Sequence, residues 1–131
     1  MEEKKLKFER YYPELKKRKY PCIRVRTIGF AFNKPCFPAF NSKNFVEIFY
    51  DRRSKIIAIK PYHIETPYTI KTFGDRQRSI LNVVCRAFIK KNGLLEYLKL
   101  EPYSDLKSKL FKAVWDDKNK WFLVDLKDGQ V

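Results

Sequence analysis

The chain has 131 residues, of which 29 are Lys or Arg and 15 are Asp or Glu, so its formal net charge is +14. An apolar fraction of 44% is enough for a packed core and excludes a disordered polyelectrolyte. No apolar run approaches the roughly 18 residues of a membrane-spanning helix, and charged residues follow Met1 directly, so we expect a cytoplasmic protein without a membrane partner. The charge instead indicates a polyanionic partner.

Residues 1–20 carry a surplus of basic side chains, including the cluster Lys16-Lys17-Arg18-Lys19. Pro13 and Pro21 interrupt this segment, and its apolar residues follow no regular period. We expect residues 1–20 to form a basic N-terminal arm, which either frays as an ordinary terminus or follows the phosphates of a nucleic acid. Residues 21–131 are expected to form one domain.

The first strand is predicted from Cys22 onward. Ile23 and Val25 alternate with Arg24 and Arg26, and this period of two predicts that both arginines face outward. Extended character returns at 30–32, and the proline-containing segment 33–42 is expected to be a turn or a short helix.

The sequence predicts two similar hairpins, because one pattern occurs twice: an aromatic residue, an Asp, three polar residues, a Lys and then an apolar strand. The first combines strands 45–50 and 55–60 around the turn 51–54, and the second combines strands 111–115 and 120–126 around the turn 116–119. Either a duplication or independent selection of the same turn chemistry explains the likeness.

Between the hairpins we predict a strand at 68–73 and then a helix over 75–91. Ile80, Leu81, Val83, Val84, Ala87 and Phe88 recur at helical spacing, and Asn92-Gly93 is a suitable C-terminal stop. The predicted fold is therefore α+β: an antiparallel sheet built from two similar hairpins, packed on one main helix, with its other face open.

The polar members of each strand identify the side chains on the open face. This face combines aromatic rings with cations, which is the composition of a stacking platform for unpaired bases. The candidate nucleic-acid-binding residues are Arg24, Arg26, Phe45, Phe49, Lys60, Lys71, Phe73, Lys112 and Trp121. The same face is equally suited to contact a second copy in a homodimer, because an exposed apolar patch of this size requires cover.

The segment from Ile23 to Pro61, with its strands 46–51 and 56–61, and the later Trp115-Asp116 hairpin resemble the ThermoDBP-related proteins. These are small single-stranded DNA- and RNA-binding proteins of thermophilic microbes. The resemblance implies a sheet-and-helix domain with a hydrophobic cleft edged by cations, often in a dimer. The abundance of Lys and Glu agrees with a thermophilic source, although an AT-rich genome produces a similar bias.

Catalytic and cofactor chemistry is not expected. His63 is the only histidine, Cys22, Cys36 and Cys85 are widely spaced, and no nucleotide-binding glycine loop occurs, so we predict no metal, no cofactor and no enzyme activity. The predicted function is sequence-tolerant binding of single-stranded DNA or RNA through aromatic stacking and Lys/Arg contacts to phosphates. The alternative is a dimeric duplex-DNA-binding transcription regulator or antitoxin of the swapped-hairpin type.

Overall fold

The computed structural model of the protein describes residues 6–8, 19–101 and 108–131. These residues contain eight strands: β1 (Cys22–Val25), β2 (Gly29–Phe32), β3 (Phe45–Asp51), β4 (Ile56–Tyr62), β5 (Thr69–Lys71), β6 (Asn82–Val84), β7 (Lys109–Asp116) and β8 (Trp121–Asp125). They also contain three short α-helices, α1 (Phe37–Phe40), α2 (Arg86–Lys91) and α3 (Leu94–Tyr97), and two 3₁₀ turns at Lys34–Cys36 and Arg76–Arg78. None of these helices is long and apolar enough to cross a membrane. The predicted arm 1–20 lies outside the described residues except for 6–8 and 19–20.

The strands form one antiparallel sheet in the order β5-β3-β4-β8-β7-β1-β2-β6. Its two edges meet where Phe73, just after β5, forms a bridge with Asn82 of β6. The backbone N–H of each residue donates to the carbonyl oxygen of the other, at 2.9 and 2.8 Å. The sheet therefore curls into a nearly closed barrel.

The core lies inside this barrel. Alternate residues of every long strand point inward, as a period of two requires, and the largest fully buried side chains include Ile23, Phe30, Phe40, Phe111 and Phe122. Phe40 of α1 packs on Phe32 and Phe122, with ring centroids 5.0 and 6.3 Å apart, so this short helix closes part of the core. The outward side chains of the same strands make up the functional surface described below.

The predicted α+β class, with a sheet packed on one main helix over 75–91 and a single open face, is wrong. The segment instead contains the turn Arg76–Arg78, strand β6 and helix α2, which has only six residues. Leu81, Val83 and Cys85 are buried while Val84 between them is exposed, so a period of two overrides the helical spacing. Gly29–Ala31 pair with Asn82–Val84 and give the backbone N–H and C=O groups of this segment their hydrogen-bond partners. Residues 82–84 therefore form a strand and not a helix.

Both hairpins are present, as β3–β4 and β7–β8, and their turns have the same geometry. The Asp51 carboxylate accepts from the backbone N–H groups of Arg53 and Ser54 at 3.0 and 3.2 Å. The Asp116 carboxylate accepts from the N–H groups of Lys118 and Asn119 at 3.0 and 3.3 Å. Each turn ends at a lysine in the left-handed region, Lys55 with φ of 59° and Lys120 with φ of 57°. The shared pattern of Asp and Lys in the sequence thus encodes one turn twice.

Candidate nucleic-acid interface

An apolar row crosses four neighbouring strands on the outside of the barrel, between the two hairpin turns, which lie at opposite ends of the β4–β8 pair. Phe49 pairs with Ala58, Ala58 with Leu123, and Leu123 with Val114. Trp121 lies beside this row, and the centroid of its ring is 5.4 Å from that of Phe49. We call Phe49, Ile56, Ala58, Val114, Trp121 and Leu123 the turn-end patch. The small Ala58 side chain leaves a shallow depression of about 340 Å³ among its larger neighbours.

Carboxylates surround the turn-end patch. Asp51 and Asp125 flank Ile56 in the adjacent row, and Asp116 pairs with Trp121 and accepts from its indole N–H at 3.1 Å. The Ser54 backbone N–H is the main cause that lowers the pKa of Asp51, and the Asn119 side-chain amide is the main cause that lowers the pKa of Asp116. Both carboxylates therefore keep their negative charge at neutral pH, so the patch has anionic neighbours as well as the exposed cations of the two turns.

The opposite end of the first hairpin carries aromatic rings next to lysines. Phe45 pairs with both Lys71 of β5 and Tyr62 of β4, so the three residues lie in one outer row. The Lys60 ammonium lies 5.6 Å from the centre of the Tyr62 ring. The ring of His63 is nearly parallel to that of Tyr62, at an angle of 7° and a centroid distance of 6.5 Å. We call Phe45, Lys60, Tyr62, His63 and Lys71 the open-end cluster.

A cleft of about 1200 Å³ lies over the outer face of β1 and β2. Arg24 lies on this floor beside Ala31, its partner on β2. The cations that line the cleft are Lys19, Arg24, Lys34 and Arg76, and none of the described lining residues is acidic. Its apolar walls are formed by Ala31, Phe32, Pro35, Phe37, Pro38 and Leu110. The cleft thus combines apolar walls with a positive rim.

Side-chain hydrogen bonds fix the walls of the cleft. The guanidinium group of Arg76 donates to the backbone carbonyls of Asn41 and Lys43, the latter at 2.9 Å, which ties the end of α1 to the loop before β6. The side-chain oxygen of Asn33 accepts from the backbone N–H of Cys22 at 2.8 Å, and its amide donates to the Tyr20 carbonyl at 3.0 Å. These hydrogen bonds therefore hold the segment after β2 next to the start of β1.

The structure distributes the nine residues predicted from the sequence over several places. On the outer face of one half of the barrel lie Phe45, Phe49, Lys60, Lys71 and Trp121; Phe49 is nearer the turn of the first hairpin, Phe45 and Lys71 are at its open end, and the register places Lys60 and Trp121 side by side between them. Arg24 lines the cleft, and Lys112, paired with Cys22, places its ammonium 5.4 Å from the centre of the Tyr20 ring. Half-exposed Phe73 is at the bridge between the sheet edges, and Arg26 is in the turn after β1. The nine residues therefore do not form one platform.

The nine predicted residues do not include four that the structure places at these surfaces: Lys19, Lys34, Tyr62 and Arg76. Lys19 belongs to the basic cluster that the sequence assigns to the arm, and Lys34 and Arg76 lie outside the strands, where no alternation marks which side chains point the same way. Tyr62 lies beyond the predicted strand 55–60, although the backbone continues in β4 through Tyr62. The sequence signal that favours Lys34 is its position as a basic residue in the proline-containing segment 33–42.

Comparison of the chain with protein-family models, with curated proteins and with solved structures gives no match. Among the described residues, no group of three or more His, Cys, Asp or Glu side chains is placed to hold a metal ion. The functional conclusion therefore depends on the geometry of the cleft, the open-end cluster and the turn-end patch.

Proposed function

We propose that the protein binds single-stranded DNA or RNA with little sequence preference, and that the cleft is the centre of this activity. The observation that carries the proposal is the set of four cations around apolar walls, without a described acidic residue, in a chain of net charge +14. Cations on the rim contact phosphates and release counterions, while apolar walls contact the flat faces of unpaired bases.

The size and lining of the cleft favour a strand over a small molecule. Pockets for small ligands usually enclose about 300–1000 Å³, whereas this cleft has about 1200 Å³. A duplex hides the faces of its bases and presents mainly phosphates, so the apolar walls contribute to binding only when the bases are unpaired.

The test is a comparison of matched single-stranded and duplex oligonucleotides, as DNA and as RNA, over a salt series. Four phosphate contacts at about 0.7 each predict a log–log salt slope near −2.8 for a single strand, with at least about tenfold tighter binding than to the duplex. Lys34→Ala is expected to flatten the slope by about 0.7.

Lys118→Ala is the matched control, because it removes the same charge from the turn at the far end of β7 from Leu110. Equal flattening by both variants would show that net charge alone matters. A slope near zero would remove nucleic-acid binding altogether, and tighter, sequence-dependent binding to duplex would replace the proposal with the transcription-regulator alternative.

A further inference from the structure

We infer that the open-end cluster is a second base-stacking site, which contacts the same strand after it leaves the cleft. The inference rests on the proposed function and adds a path for the ligand. It concerns unpaired nucleotides, because only a base freed from its partner can lie flat on an exposed ring.

The first support is the continuity of the surface between the two sites. Asn41 lines the cleft, and Arg76 contacts the carbonyls of both Asn41 and Lys43. Phe45 follows four residues after Asn41, which limits the separation of their Cα atoms to about 14 Å. The backbone N–H and hydroxyl of Thr72 donate to the Asn44 carbonyl at 2.8 and 3.0 Å, which fixes the end of β5 beside the start of β3. Cleft and cluster are therefore neighbours on a rigid part of the fold.

The second support is the composition of the open-end cluster itself. Phe45 and Tyr62 are paired across two strands and are only partly buried, so part of each ring is accessible. Lys71 pairs with Phe45 on its other side, and the Lys60 ammonium lies over the Tyr62 ring. Rings that stack on bases thus lie within reach of cations that contact the phosphates between those bases.

The third support is the aligned pair of Tyr62 and His63. Their rings are within 7° of parallel with centroids 6.5 Å apart, and His63 is exposed to solvent. Stacking depends on the ring faces rather than on hydrogen-bond donors, and it therefore adds affinity without sequence preference. This matches the sequence tolerance of the proposed function.

The experiment compares short and long fluorescein-labelled oligothymidylates, of about 5 and about 15 nucleotides, by fluorescence anisotropy. The short probe fits in the cleft alone, whereas the long probe reaches the cluster as well. Tyr62→Ala is expected to weaken binding of the long probe by between about five- and about a hundredfold and to leave binding of the short probe unchanged. Tyr62→Phe retains the ring and is expected to bind both probes as the unaltered chain does.

Phe49→Ala is the matched control, because Phe49 is also an exposed ring on the outer face of β3, about 13 Å from Phe45 along the strand. Thermal unfolding of each variant identifies any loss of fold. If Tyr62→Ala weakens neither probe, or weakens both equally in a folded protein, the second site does not exist while cleft binding stands. If the unaltered chain binds neither probe, the proposed function and this inference both fail.

Discussion

The two ends of the first hairpin present similar rings in different electrostatic surroundings. At the turn end, Phe49 lies one row from Asp51 and Asp125, which flank Ile56, and Arg53 and Lys127 are exposed nearby. At the open end, Phe45 and Tyr62 lie beside Lys71 and Lys60, and Glu47 pairs with Lys60. The difference shows that a row of exposed aromatic residues does not define a nucleic-acid surface by itself. The charges in the neighbouring rows decide whether phosphates can approach the rings.

The carboxylates of the turn end have a structural task. Asp51, Asp116 and Asp125 each accept two backbone N–H groups from the turn that follows, the last from Lys127 and Asp128 at 2.9 and 3.2 Å. These residues cannot be exchanged freely for lysine without loss of the turns. At the turn of the first hairpin, Asp51 and Asp125 are therefore needed by the backbone, and binding is expected at the open end, where Phe45 pairs with Lys71.

Reversal of two charges at the open end should have the largest effect. The double variant Lys60→Glu/Lys71→Glu gives this end the electrostatic character of the turn end. We expect affinity for a strand of about 15 nucleotides to fall at least about tenfold at low salt, because two attractive contacts become repulsive. Fluorescence anisotropy over a salt series measures the loss.

The control for this reversal is Arg53→Glu/Lys127→Glu, which changes the net charge equally at the turn of the first hairpin, where both side chains are exposed. A loss of no more than about threefold is expected for the control. Equal losses of affinity in the two double variants would mean that the nucleic acid responds to the total charge of the protein and not to the position of the cations.

Much of the outer surface follows from the sequence, because strand alternation is a local property. Arg24, Phe45 and Lys60 point outward as the period of two predicts, opposite to buried Ile23, Val46 and Ile59. Both turns were also predictable, since an Asp at the first position accepts hydrogen bonds from its own turn.

The closure of the barrel and the cleft could not be predicted in the same way. Strand β6 is only three residues long, and its pairing with β2 depends on a close approach at Gly29, where a Cβ atom would lie 1.9 Å from the Val83 carbonyl oxygen. The cleft unites Lys34 and Arg76 from segments far apart in the chain. Such contacts are set by packing, and no local periodicity records them.

Glycine in place of the last residue of each hairpin turn should change the stability of the protein without changing its binding of nucleic acid. Lys55 and Lys120 both have positive φ, which strains a residue with a Cβ atom but not a glycine. Lys55→Gly and Lys120→Gly should each raise the free energy of unfolding by about 0.5–1 kcal/mol in urea titrations. Each substitution also removes a side-chain contact, since the Lys55 ammonium lies 5.1 Å from the centre of the Tyr97 ring and the Lys120 ammonium pairs with the Asp117 carboxylate at 2.7 Å.

Affinity for single strands should stay the same in both glycine variants, since neither lysine belongs to the cleft or the open-end cluster. A marked loss of affinity in a stabilised variant would assign a binding role to the turn end. Destabilisation by both substitutions would show that the lysine contacts outweigh the backbone strain.

The smallest effect is expected from the rings of the turn-end patch, which the sequence predicts as stacking residues. Phe49→Ala and Trp121→Ala should each change affinity for a long strand by less than about twofold, because each ring has a carboxylate beside it: Asp51 lies two residues from Phe49 on the same strand face, and Asp116 accepts from the Trp121 indole. The chain has two tryptophans, and Trp115 packs on Phe122 with ring centroids 4.8 Å apart. In a Trp115→Phe variant the emission therefore comes from Trp121 alone, and it should remain constant as the strand binds. Strong quenching, together with a loss of about fivefold or more in Trp121→Ala, would instead establish the turn-end patch as the stacking platform and reverse the roles of the two ends.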